Sequence, residues 1–337
     1  MIEGVILAIF AGLMLGLYAL PEKFTKDFKF ENTWGLFFML TMFLVPIVAS
    51  VLLIDNFGEV LSAVPTDIFL KMGIASFLWG IGVMMWGKAI NHIGLSLGFS
   101  LFIGTVILVG SLLPFFVDGV PEGNVLYAIL GGIFIVLLGV LFNGKAGLTR
   151  EADEKAAGKD EAEKGSMVTG ILIAVIGGLL ATGFSYANAA GRPAIHAACQ
   201  AAGNPDWITA VAVMFPIFIS GGIVMTAYFA WQLSVKNAWN DFKTPAFGKN
   251  FILILIMAFF HYAASALFAY AAFKLGEKGN TVGYAIFNTA CVVTAIVSGL
   301  ITKEWANASS KAKNFLYLSL ACMVGGIVII AYANGMS

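Results

Sequence analysis

Residues 143–166 read NGKAGLTREADEKAAGKDEAEKGS; eleven of them are charged and large apolar side chains are nearly absent. The chain on either side is almost continuously apolar, so residues 144–166 are expected to form a charged, solvated linker between two halves. A bilayer core about 30 Å thick is crossed by a helix of about 20 apolar residues. Such stretches fall at 2–20, 33–54, 68–90, 94–116 and 124–143 before the linker. Five more follow it, at 167–190, 207–233, 250–273, 280–302 and 314–334. The expected fold is therefore an all-α membrane protein of ten transmembrane helices, spans one to ten, in two five-helix repeats over 1–143 and 167–337. Five is an odd number, so related halves must cross the membrane in opposite orientations, the inverted-repeat plan of many secondary transporters.

Composition excludes several classes. Of 337 residues, 60% are hydrophobic and 11% charged, against about 45 to 50% and about 25% in a soluble domain. Lysine and arginine number 19, as do aspartate and glutamate, so no net basic field exists to hold nucleic acid. Cys199, Cys291 and Cys322 lie far apart in apolar surroundings and read as small hydrophobes, implying neither disulfides nor zinc. No Walker loop, nucleotide fingerprint, HExxH or GxSxG occurs, so ATP-driven pumping, a bound cofactor and familiar hydrolytic chemistry are not supported. A voltage-sensing arginine series and a channel filter are absent as well. Coupling to an ion gradient or facilitated diffusion remains. Glu3 in place of a basic cluster makes the first apolar stretch a retained helix, not a signal peptide.

Two pairs of spans resemble each other in the order an internal repeat requires. Gly94-Leu95-Ser96-Leu97-Gly98 opens span four and Gly279-Asn280-Thr281-Val282-Gly283 opens span nine. Gly12, Leu13, Gly16 and Tyr18 of span one parallel Gly178, Leu179, Gly183 and Phe184 of span six. Fifteen of the 19 basic residues fall after spans one, three, five, seven and nine. That bias places the linker in the cytoplasm and both termini outside, with Trp34, Trp305 and Trp207 as interfacial anchors.

Polar groups inside a bilayer are expensive and concentrate at functional sites. His261, at the middle of span eight, is the ionisable side chain nearest a span centre; it either relays a proton or bonds neighbouring helices as a neutral ring. Ser76, Trp79, Val83 and Trp86 share a stripe of span three, where indoles stack on a sugar ring or simply pack. Tyr186 and Asn188 on span six, and Tyr284 and Asn288 on span nine, offer hydroxyl and amide groups. Such amides either join helices or read a polyhydroxylated ligand.

Trp79-Gly80-Ile81-Gly82, Gly87, Gly94-Leu95-Ser96-Leu97-Gly98, Gly104, Gly110 and Pro114 resemble the third and fourth helices of the bacterial L-rhamnose-proton symporters, a branch of the drug/metabolite transporter superfamily. Ser185-Tyr186-Ala187-Asn188-Ala189-Ala190-Gly191-Arg192-Pro193, Asn204-Pro205-Asp206, Pro216, Gly221-Gly222 and Lys303-Glu304-Trp305 resemble the second half of that family. Val83 and Trp86 depart from it, standing where the family pattern has an amide and a tyrosine. The resemblance implies import of a deoxyhexose or related sugar across the bacterial inner membrane by proton symport. For a sugar transporter working by alternating access, Trp79, Trp86, Tyr186, Asn188, Tyr284 and Asn288 are the expected substrate contacts, and His261, which matches no histidine of the family pattern, is the expected proton-coupling group. Transport of a different small solute, or coupling to sodium, is the alternative. The expected partners are the sugar, protons and membrane lipid, with no metal. A topology reporter fused after Ser337 is expected to report an external location, and one inserted in the linker a cytoplasmic one.

Overall fold

The computed structural model describes residues 2–121, 123–156 and 166–335, save the side chains of Leu95, Ser96, Glu277 and Asn334. Ten helical segments are long and apolar enough to cross a membrane. Spans one to five are Ile2–Phe24, Phe30–Leu53, Thr66–Gly94, Leu97–Asp118 and Gly123–Ala156. Spans six to ten are Met167–Ala201, Asp206–Val235, Phe247–Lys274, Gly279–Ile301 and Ser310–Ala333. No strand occurs among the described residues. Helices satisfy their own backbone polar groups, which lipid cannot do. Ser166 and Ser309 cap spans six and ten, their hydroxyls accepting from the N–H groups of Thr169 and Ala312. Span five continues as a helix through Ala156, beyond its apolar stretch, because residues 145–156 are rich in the helix formers alanine, lysine and glutamate. The remainder of the charged segment, 157–165, lies outside the described residues.

Each half places its first span inside the other half. Span one packs on spans eight and nine, while span six packs on spans three and four. Spans two and seven pack together, as do spans five and ten. Exchanging the halves carries this set of pairings onto itself. Glycines set the closest approaches. A Cβ on Gly12 would fall 2.5 Å from that of Ala290 in span nine, and one on Gly178 would fall 2.7 Å from that of Thr105 in span four. The hairpins between spans three and four and between spans eight and nine turn at Gly94 (φ 78°) and Gly276 (φ 79°), a backbone region glycine enters without strain.

Four spans are interrupted: span four breaks between Leu112 and the short helix Phe115–Asp118, and spans one, six and two are broken too. The α-helix of span one ends at Leu17 and resumes as a 3-10 turn over Leu20–Phe24. In span six, helices Met167–Ala181 and Gly183–Ala201 meet at Thr182, whose hydroxyl donates to the Leu179 carbonyl at 2.6 Å. Span two carries a π-turn at Leu40–Leu44, followed by Pro46, which has no N–H to donate. The breaks in spans one and six occupy corresponding places in the two halves.

The face holding the loops after spans one, seven and nine is heavily cross-linked. Lys23 pairs with Glu304 and Lys29 with Asp241, each at 2.8 Å, and Lys236 pairs with Glu31. The hydrogen bond from Lys23 holds the Glu304 carboxyl below its ordinary value. Asn250 makes two bonds to the Lys26 backbone, and Asn32 donates to the Ala238 carbonyl. Trp34 donates its indole N–H to Glu22 at 2.7 Å, and Trp305 lies 4.8 Å beneath the Arg150 guanidinium. Trp207 is exposed at the opposite end. Gly12→Leu is expected to lower the melting temperature in detergent by forcing spans one and nine apart, at a cost of about 1 to 3 kcal/mol or more. Gly131→Ala, where a Cβ meets nothing within 4 Å, is expected to leave it unchanged.

Candidate functional site

In the middle of span eight an imidazole sits among aromatic rings brought by three other spans. The His261 ring centroid lies 5.0 Å from Tyr18 (span one), 5.5 Å from Phe37 (span two) and 5.6 Å from Phe218 (span seven). His261 is half-buried. Its Nδ1 lies 3.2 Å from the hydroxyl of buried Thr41, which lies 3.2 Å from the Ala258 carbonyl as well. Ser265, on the same face of span eight, donates to the His261 carbonyl at 3.0 Å.

Phe218 links this group to a second one. Its ring lies 5.7 Å from Trp79, and Trp79 lies 5.1 Å from Phe184. Tyr284 closes the chain, 6.4 Å from Phe184 and 5.6 Å from Phe268. The two helix breaks explain the placement. Tyr18 follows the break in span one and meets His261 of span eight; Phe184 follows the break in span six and meets Trp79 of span three. These two contacts correspond when the halves are exchanged. Asn288, one turn beyond Tyr284, donates one amide hydrogen to the Tyr284 carbonyl at 3.0 Å and lies beside the Tyr284 phenol.

The other expected contacts lie elsewhere. Trp86 is two helical turns from Trp79 and faces span four, stacked 5.9 Å from Phe102, with its buried indole N–H unpartnered. Tyr186 is half-buried, without a side-chain hydrogen bond among the described residues. Asn188 is fully buried toward one end of the bundle. Its Nδ2 donates to Asn280 Oδ1 at 2.9 Å, while its own Oδ1 has no partner among the described residues. Asn280 is the hub there: Arg192 donates to the same Oδ1 at 3.3 Å, and Asn280 Nδ2 donates to Asp118 at 2.7 Å. Asp118 belongs to the first half and the other three to the second, so this network joins the halves.

Sequence reasoning missed Thr41, Asn280 and Asp118 as functional positions, and read Tyr18 only as part of a repeat. A polar residue within an apolar span was the available signal for Thr41 and Asn280. Nothing local to Asp118, at the end of its span, distinguishes it from an ordinary interfacial carboxylate.

An apolar groove of about 820 Å³ lies between spans two, seven and eight, lined by residues such as Leu52, Trp207, Ile256 and Phe259. The Tyr262 hydroxyl beside it is already donated to the Val211 carbonyl at 3.2 Å. A sugar buried there would lose its hydroxyl hydrogen bonds, so this groove suits lipid tails and not a polyol. Among the described residues, no three His, Cys, Asp or Glu side chains gather as a metal set would.

A family model described as L-rhamnose-proton symport protein (RhaT) matches residues 1–337. The L-rhamnose-proton symporters of Yersinia pestis (strain Pestoides F) and Yersinia pseudotuberculosis serotype O:3 (strain YPIII) are similar to it. Each is 24% identical over 347 residues, covering 99% of this chain and 96% of the relative. The L-rhamnose-proton symporter of Yersinia pestis bv. Antiqua (strain Antiqua) is 25% identical with the same coverage. With ten membrane-length helices and a family match from end to end, the protein belongs to the L-rhamnose-proton symport family and is a multi-pass membrane transporter, not an enzyme.

Proposed function

We propose that the protein imports L-rhamnose, or a closely related monosaccharide, together with protons by alternating access in the bacterial inner membrane. The observation that carries this reading is the aromatic chain His261–Phe218–Trp79–Phe184–Tyr284, built where the broken spans one and six meet the opposite half. Broken helices at the junction of inverted repeats mark substrate sites in secondary transporters. The exchange of packing partners between the halves supports the inverted-repeat plan over 1–143 and 167–337, with 144–166 as connector. The loop charge bias supports a cytoplasmic connector and external termini.

In this reading Trp79 and Tyr284 offer apolar ring faces to the sugar, and Asn288 matches hydroxyls donor for acceptor. Trp86 N–H and Asn188 Oδ1 are unfilled hydrogen-bond positions, and with Tyr186 they contact the sugar along its path. His261 takes a proton from the outer side and releases it to the inner side as the halves rock. A polar group buried in the bundle without a carboxylate partner exchanges its proton only when a water-filled path reaches it, which ties protonation to the access cycle.

Val83 and Trp86, in place of the family's amide and tyrosine, favour a second reading in which the solute is a different small molecule or sodium is the coupling ion. Uptake into proteoliposomes separates the two. Labelled L-rhamnose is expected to accumulate under an inward proton gradient and not under a sodium gradient. His261→Ala is expected to abolish accumulation while leaving exchange of labelled for unlabelled sugar intact; accumulation at the wild-type level would remove His261 from coupling. Asn288→Ala is expected to weaken apparent sugar affinity by about 1 to 3 kcal/mol, roughly five- to 150-fold.

A further inference from the structure

Thr41 sits in the π-turn Leu40–Leu44 and is fully buried. A π-turn inserts one residue into a helix and re-aims the side chains around it, and such turns recur at functional sites. Here the re-aimed hydroxyl bridges span two to span eight, 3.2 Å from the Ala258 carbonyl oxygen and 3.2 Å from His261 Nδ1. A carbonyl oxygen only accepts, so both contacts are hydrogen bonds at once only when the single Thr41 hydroxyl hydrogen points to Ala258. A lone pair of Thr41 Oγ1 then faces Nδ1, which must carry the ring hydrogen. The lone pair of the neutral imidazole is left on Nε2, which has no partner among the described residues.

We propose that Thr41 is the positioning residue that locks His261 in the Nδ1–H form, making Nε2 the atom that gains and loses the transported proton. Protonation adds one hydrogen at Nε2 and leaves the Nδ1–H to Oγ1 bond in place, so the ring charges and discharges without rotating. The functional half of this proposal rests on His261 being the proton-linked group. The groups facing the ring are Tyr18 from span one, Thr41 and Phe37 from span two, and Phe218 from span seven. Tyr18 is the titratable one among them, with Glu22 and Cys291 as its own electrostatic neighbours. Tyr262 adjoins His261 along span eight and turns its hydroxyl to Val211.

Nitrogen-15 NMR of histidine-labelled protein in lipid nanodiscs tests the locking directly, at a pH where the ring is neutral. The His261 signals are assigned by their loss in His261→Ala. The wild type is expected to give a protonated Nδ1 and an unprotonated Nε2. Thr41→Val, close in shape but without the hydroxyl, is expected to move population to the Nε2–H form, and Thr41→Ser to restore the wild-type pattern. Loss of the acceptor for the imidazolium Nδ1–H is also expected to lower the midpoint of the uptake pH profile by about one pH unit. An Nε2–H signal in the wild type, or an unchanged pattern in a folded Thr41→Val protein, overturns the positioning role. Wild-type accumulation by His261→Ala with the expected Thr41→Val pattern instead overturns the coupling role and leaves the locking intact.

Discussion

Lipid offers no hydrogen bonds, and that constraint organises this protein. A backbone can leave the α-helix within the membrane only where protein or water meets the freed groups. At the interruptions at Thr182 and over Leu40–Leu44, Thr182, Leu40, Thr41 and Met42 are buried. Both have local compensation: the Thr182 hydroxyl bonds the Leu179 carbonyl, and within the π-turn the Val45 N–H bonds the Leu40 carbonyl. The irregular segments and the candidate site coincide because the interior is the one place that tolerates either.

Packing between the halves follows from the same economy of space. Gly12 and Gly178 let the first span of each half lie against the fourth span of the other at backbone distance. No hydrophobic effect drives helices together in lipid, so close van der Waals contact must supply the attraction. The crossed arrangement brings Tyr18 to His261 and Phe184 to Trp79, neither of which is a neighbour in sequence.

Much of the architecture was legible from hydropathy, because a membrane span must declare itself as a long apolar run. All ten spans and their grouping around the charged segment follow from that rule. The same rule hid the polar extension of span five, since residues 145–156 form a helix on backbone propensity without being apolar. His261 was legible as an ionisable group in mid-span, while the glycine-aromatic pairs at Tyr18 and Phe184 read only as an internal repeat and did not reveal the helix breaks beside them. Trp79 and Trp86 share a helical stripe, yet a stripe says nothing about which neighbours line it, and they meet different spans. The Asn280 hub could not be read because hydrogen-bond partners from three spans converge only in the fold.

The three ion pairs at the loop-rich face all join the first half's 23–31 segment to the second half, at Asp241, Lys236 and Glu304. None lies near the aromatic chain. Any parting of the halves on this side would break them together, as a single clasp whose exposed members, Lys23–Glu304 and Lys29–Asp241, electrolyte screens more than the pair of the buried Glu31. Ionic strength on that side would then act as a throttle on any opening there, bearing on turnover before it bears on affinity.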